Sequence, residues 1–85
     1  MEEDKLFYVY VLQSISSPSE YYVGFTSDLK NRIKSHNNSE VPHTSKFTPW
    51  KILSYFAFDG KEKAIIFEKY LKSGAGREFA KRFFR

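Results

Sequence analysis

Five side chains in this sequence belong to types that move protons or hold ions: the phenols of Tyr10 and Tyr22, the guanidinium of Arg32, the imidazole of His36 and the carboxylate of Glu68. Glu68 is the least ordinary of them. With residues 61–71 wound as a helix at about 100° per residue, it falls about 40° from Ala64, inside an arc otherwise made by Ala64, Ile65, Phe67 and Leu71. A carboxylate held there needs a partner, and a salt bridge to a nearby Lys or Arg meets that need as well as a metal ion does. Arg32 and His36 are i,i+4 neighbours on an earlier helix. They lie about 60° and 20° from Leu29, beside the seam of Leu29 and Ile33 rather than out in solvent. His36 reads as a helix-end residue or a ligand. Tyr10 and Tyr22 read as core aromatics or as catalysts, and a phenol with a pKa near ~10 stays protonated at neutral pH unless its surroundings change that. Gly24, inside a strand, marks a bulge or a close approach of backbone to another group.

The elements that must position these groups follow from residue type and period. Leu6 to Leu12 is aromatic and β-branched and predicts a strand buried on both faces, hence central. Tyr21 to Phe25 predicts a second strand, joined to the first by a short polar link that favours a hairpin. Alternation puts Tyr22 and Gly24 on one face and Tyr21 and Val23 on the other. Thr26-Ser27-Asp28 offers N-cap residues for a helix through about His36, ended by Asn37-Asn38-Ser39. A long loop to Pro49 and a third strand over Trp50 to Phe58 come next. Asp59 with Glu62 three residues on resembles a capping box for a helix from Lys61 to Leu71. Gly74 and Gly76 break the chain, and Arg77 to Phe84 predicts a last short helix. The order is β-β-α-β-α-α.

The chain's 85 residues make one domain, 1–85, with a modest core. It has no cysteine, which excludes disulfides and Cys-based zinc sites, so packing of nine Phe, six Tyr and one Trp must stabilise it. Met1-Glu2-Glu3-Asp4 is acidic and no signal peptide, and no apolar run is long enough to cross a bilayer; a cytoplasmic protein without membrane contact is expected. The net charge of +4 is uneven: residues 1–60 sum to −1 and residues 61–85 to +5. The basic end suits a polyanionic partner, or forms a solvated helix face.

In one order, these residues resemble the GIY-YIG nucleases. Tyr8-Val9-Tyr10 stands for the first half of the motif that names the family, and Tyr22-Val23-Gly24 for the second. Thr26-Ser27-Asp28-Leu29-Lys30-Asn31-Arg32 looks like the family's T-x-D-L-x-x-R helix start. His36-Asn37, Thr44 with Pro49-Trp50, and Ala64-x-x-x-Glu68-Lys69-x-Leu71-Lys72 are similar to stretches of its small stand-alone bacterial members, akin to the catalytic module of an excinuclease. The resemblance implies an α+β sandwich: a three-stranded antiparallel sheet flanked by helices, with the site on one face. It implies Tyr22 as the base that activates water and Tyr10 as support for the site and the attacked phosphate. It further implies Arg32 as the phosphate ligand, His36 as base partner or phosphate ligand, and Glu68 as the holder of one Mg²⁺ or Mn²⁺ ion. Some members add an Asn from the C-terminal helical region, and none follows Asn38 here.

The implied reaction is phosphodiester hydrolysis, which needs an activated water, charge stabilisation on phosphate and help for the leaving oxygen. The implied partner is DNA, in repair or recombination, contacted through its backbone with little sequence preference by Lys46, Lys69, Lys72, Arg77, Lys81 and Arg82. A nucleic-acid-binding module with little or no catalysis is the alternative, and Glu68→Ala separates the two.

Overall fold

The computed structural model describes residues 5–84; the acidic start, residues 1–4, and Arg85 lie outside them. Three strands and three helices follow the expected order: β1 (Phe7–Ser14), β2 (Tyr21–Thr26), α1 (Leu29–Asn37), β3 (Trp50–Phe58), α2 (Lys61–Lys72) and α3 (Gly74–Phe83). The sheet is antiparallel in the order β2-β1-β3. β1 is central, as its unbroken run of large apolar residues requires, and Val9, Tyr10, Val11 and Leu12 are all buried.

Alternation along the strands divides the interior into two layers. Val9 and Val11 face α2 and α3, where Ala64 and Leu71 complete a core packed round by Phe25, Phe56, Phe67 and Phe79. Tyr10, Leu12 and Trp50 face the other way, with Tyr22 and with Leu29 and Ile33 of α1. Tyr10 sits across from Gly24 on β2 and Tyr55 on β3. The chain is thus an α+β sandwich in which α1 covers one sheet face and the α2–α3 pair the other.

Local chemistry departs from expectation at three element ends. β1 runs past Leu12 because Gln13 still pairs on both sides and Ser14 pairs with Trp50, and the Ser14 hydroxyl donates to the Phe47 carbonyl at 2.6 Å. The N-cap of α2 is Gly60, which supplies no side-chain cap, so the capping box expected from Asp59 does not form. Gly74 and Gly76 do not break the chain; they open α3. Ser73 ends α2 and caps α3, its Oγ accepting from the Gly76 N–H at 3.2 Å. Gly76 is there because α3 turns hard against α2. A Cβ on it would run into the backbone of Tyr70 and Leu71.

The long loop after α1 is not loose. The Asn37 side chain accepts from the Trp50 N–H at 2.6 Å and donates to the Trp50 carbonyl at 3.2 Å. The Trp50 indole N–H donates to the Thr44 carbonyl at 3.0 Å, and residues Ser45–Phe47 form a 3₁₀ turn. Among the described residues no helix is long and apolar enough to cross a membrane.

Candidate active site

α1 begins where the sequence supplies a cap. The Asp28 carboxylate accepts from the Asn31 N–H at 3.3 Å and from the Asn31 side-chain amide at 2.7 Å. That start fixes the phase of the helix, and the phase decides what Arg32 and His36 meet. His36 is driven fully into the sheet. Arg32, one turn earlier, lies on a flank of the helix and is exposed. The expectation that both lie out of solvent therefore fails for Arg32 and holds for His36. Among the described residues the Arg32 guanidinium has no hydrogen bond or ion pair, and it borders a shallow groove with Thr26, Asp28 and Ser35.

Below α1, Tyr10 and His36 form a buried polar pair. The Tyr10 hydroxyl lies 2.9 Å from His36 Nε2, and His36 Nδ1 lies 2.8 Å from Thr44 Oγ1. Thr44 donates its own proton to the Val41 carbonyl at 3.3 Å. Thr44 must then accept from Nδ1–H, which leaves Nε2 bare to accept the Tyr10 hydrogen bond. Electrostatics agree with this assignment. Burial, aided by Tyr22 and Glu68 and opposed by Arg32, pushes the Tyr10 phenol well above its ordinary range. Burial and then the Arg32 charge hold His36 below its ordinary 6.5, so it is neutral. The chain Tyr10 to His36 to Thr44 is closed: each of its donors and both His36 nitrogens have a partner. Thr44 is the residue whose part the sequence did not disclose; its fixed spacing from Pro49-Trp50 was the available signal.

Gly24 gives this pair its room. A Cβ on it would occupy the space of the Tyr10 hydroxyl, which makes it a site of close approach rather than a bulge. Tyr22 stands beside the pair without joining it. Its ring centroid lies 5.0 Å from that of His36 and 6.3 Å from that of Tyr10, and its side chain is half-buried. Among the described residues its hydroxyl has no hydrogen bond, so it is open to water.

Glu68 approaches from the other layer. α2 packs on the opposite sheet face, and the free edge of β2 is where the two layers meet: Tyr22, Leu71, Lys72 and Arg77 line one groove of about 280 Å³ that wraps this edge. The Glu68 side chain is 20% exposed and pairs with Lys72 at 3.0 Å, so the ion pair that its place on the wheel allowed is present. Its charge still acts on the Tyr10 phenol, as does that of Arg32. Among the described residues no group of three His, Cys, Asp or Glu could hold a metal ion. Among the described residues Glu68 is the carboxylate whose charge reaches the Tyr10 phenol, and it offers a single acidic side chain. That fits a hard cation that keeps its waters and borrows phosphate oxygens, and does not fit zinc.

The basic residues divide. Lys72 and Arg77 share the groove with Tyr22. Lys69 and Lys81 are exposed on α2 and α3. Arg82 borders a separate groove with Tyr70, Glu78 and Phe79. Lys46 sits on the 3₁₀ turn with its ammonium 5.7 Å over the Phe47 ring.

Comparison with known proteins gives a consistent picture. A family model described as the GIY-YIG catalytic domain matches residues 6–81. UPF0213 proteins of Streptococcus pyogenes serotypes M3 and M1 are each 36% identical over 66 residues, covering 76% of this chain and 70% of theirs. The solution structure of a UPF0213 protein from Bacillus halodurans superposes with a TM-score of 0.52 at 30% identity, over 87% of this chain and 80% of that one.

Proposed function

Since the chain belongs to the GIY-YIG nuclease-domain family, we propose that it is a divalent-metal-dependent endonuclease that hydrolyses DNA phosphodiesters with little sequence preference, in cytoplasmic DNA repair or recombination. The observation that carries this reading is the division of labour between the two tyrosines. Tyr10 donates its hydrogen bond into a closed buried chain and is held neutral, whereas Tyr22, on the same face, keeps a free hydroxyl toward solvent.

Tyr22 is the base in this reading. Having lost its own proton, the phenolate takes one from the attacking water, and the open Arg32 guanidinium binds the phosphate through a planar fork that suits its oxygens. Both His36 nitrogens are taken, so His36 neither binds the phosphate nor accepts the Tyr22 proton, which leaves to bulk water. His36 positions Tyr10 and the floor of the site. Glu68 would hold the cation, which supplies Lewis-acid stabilisation of the leaving oxygen. The Lys72 end of its pair with Glu68 is open to solvent, and i,i+4 pairs of that kind contribute only about 0.3–0.5 kcal/mol, so Lys72 gives way to a cation and swings to a phosphate.

The same Glu68–Lys72 pair favours the alternative, a binding module without catalysis, because it satisfies the carboxylate without metal. Purified protein incubated with plasmid, single-stranded and branched DNA, with Mg²⁺ or Mn²⁺ and with chelator, decides between them. Cutting that requires metal and disappears in Glu68→Ala, while DNA binding persists, is the expected result. Binding with no cutting on any substrate would leave the binding module standing instead.

A further inference from the structure

On the far flank of α1 from Arg32 lies a groove of about 480 Å³ that the proposed reaction does not use. Its sheet wall is Tyr8, Ile52 and Tyr55, and its helix wall is Ser27, Lys30 and Ile33. The volume is that of a site for a small planar ligand. Tyr55 is 55% exposed and Ile52 40%, an unusual openness for large apolar residues facing a helix. The rings of Tyr8 and Tyr55 meet edge to face at 6.1 Å, which leaves aromatic surface open to the groove.

The groove adjoins the candidate active site. Tyr55 is the direct cross-strand partner of Tyr10, and Tyr8 precedes Tyr10 by two residues on the same face. Asp28 borders both this groove and the one beside Arg32, so the two lie on either side of the start of α1. Lys30 and Arg32 stand on opposite flanks of α1, a helix about 10–12 Å across with its side chains, and a strand with its phosphate at Arg32 that crosses the start of α1 brings a nearby base to the groove. Lys30 at the rim supplies a cation for the backbone.

We propose that this groove is a nucleobase subsite, in which an unstacked base of the substrate strand lies against Tyr55 and Tyr8 while its neighbour's phosphate is at Arg32. The proposal rests on the nucleic-acid reading above but not on catalysis. The base comes from a single strand or from a locally opened duplex, and the chemistry of recognition is the same. Because every base has an aromatic face, such a site adds affinity without sequence preference.

The test is binding without metal, by fluorescence anisotropy, of a short single-stranded oligonucleotide, the matching duplex, and single strands carrying one abasic position. Tyr55→Ala weakens single-strand binding by roughly tenfold, within the range of one lost base–aromatic stack. Tyr55→Phe stays within about twofold of wild type. One abasic position costs wild type a similar factor and costs Tyr55→Ala nothing further. Equal loss on the duplex assigns the base to an opened helix, and loss confined to the single strand assigns it to unpaired DNA. Unchanged binding by Tyr55→Ala, with an unchanged melting temperature, overturns the subsite. So does a shift from dimer to monomer in that variant with DNA affinity intact, which would give the groove to a second copy. Abasic-sensitive binding without any cutting would refute the nuclease and leave the subsite, and metal-dependent cutting indifferent to Tyr55 would do the reverse.

Discussion

Tyr10 and Tyr22 are the same chemical group on neighbouring strands, yet one is tied into a hydrogen-bond chain and the other is not. Tyr10 donates into a closed chain, so Tyr10→Phe leaves His36 Nε2 buried without a donor, at a cost of about 1–3 kcal/mol. The hydroxyl of Tyr22 holds nothing in the fold, so Tyr22→Phe keeps stability within about 0.5 kcal/mol while lowering turnover by at least ~10²-fold. Urea midpoints set beside single-turnover rates separate the two roles; wild-type turnover from Tyr22→Phe removes it from the mechanism. The pair also makes stability depend on pH from both sides. Below the ordinary His value of 6.5 the unfolded chain takes a proton that the lowered native His36 resists, so the native state loses stability on acidification. Above the ordinary Tyr value of 10 the unfolded chain ionises a phenol that the raised native Tyr10 keeps, and stability falls again. Melting temperature against pH should fall on both sides of a neutral plateau. In His36→Gln the acid limb below the ordinary His value flattens, though the whole curve drops; an unaltered acid limb would place its cause elsewhere.

At the scale of elements, glycines report how closely pieces of the fold approach. Gly74 and Gly76 both lie in the first turn of α3, and the structure assigns them opposite sensitivities. Nothing stands within 4 Å of a Cβ at Gly74, and its φ is not positive, so Gly74→Ala is neutral or stabilises by up to about 1 kcal/mol. At Gly76 the obstacle is the backbone of α2, which cannot swing aside, so Gly76→Ala costs about 1–3 kcal/mol or more. Equal denaturation midpoints for the two variants would mean that α3 does not seat against α2 as described. This contrast also marks where the sequence stopped being legible. Strand alternation placed Tyr22 with Gly24, and the helical period placed Ala64 and Leu71 in the core, because each follows from backbone geometry within one element. Gly74 and Gly76 looked alike, since a glycine required by a neighbouring helix has no local signature. Asp59 and Glu62 had the spacing of a cap, yet the helix begins at Lys61 as expected, with Gly60, not Asp59, in the N-cap position. The Thr44 contact to His36 spans a loop whose closure depends on Asn37 and Trp50, so no period could reveal it.

Over the whole molecule, three cations of the basic C-terminal end border two grooves, Lys72 and Arg77 one and Arg82 the other, and Tyr22 lines the first of these. Arg77 and Lys72 border the groove that Tyr22 shares at the β2 edge, whereas Arg82 faces Tyr70 and Glu78 on another side of α3. A helix turns about 140° from residue 77 to residue 82, so one flat stretch of DNA backbone does not meet both side chains. Each cation that replaces a condensed counterion contributes about 0.7–0.9 to the slope of log affinity against log salt concentration. Arg77→Ala should therefore lower that slope by roughly one contact and weaken binding about equally for all sequences. Arg82→Ala, which removes the same formal charge from the same helix, should leave the slope within error. Titrations of both variants between about 50 and 200 mM salt make the comparison at constant net charge, so any difference reflects position alone. Identical slopes would mean that the basic end acts as a diffuse field, and that the β2-edge groove does not guide the phosphate to Tyr22.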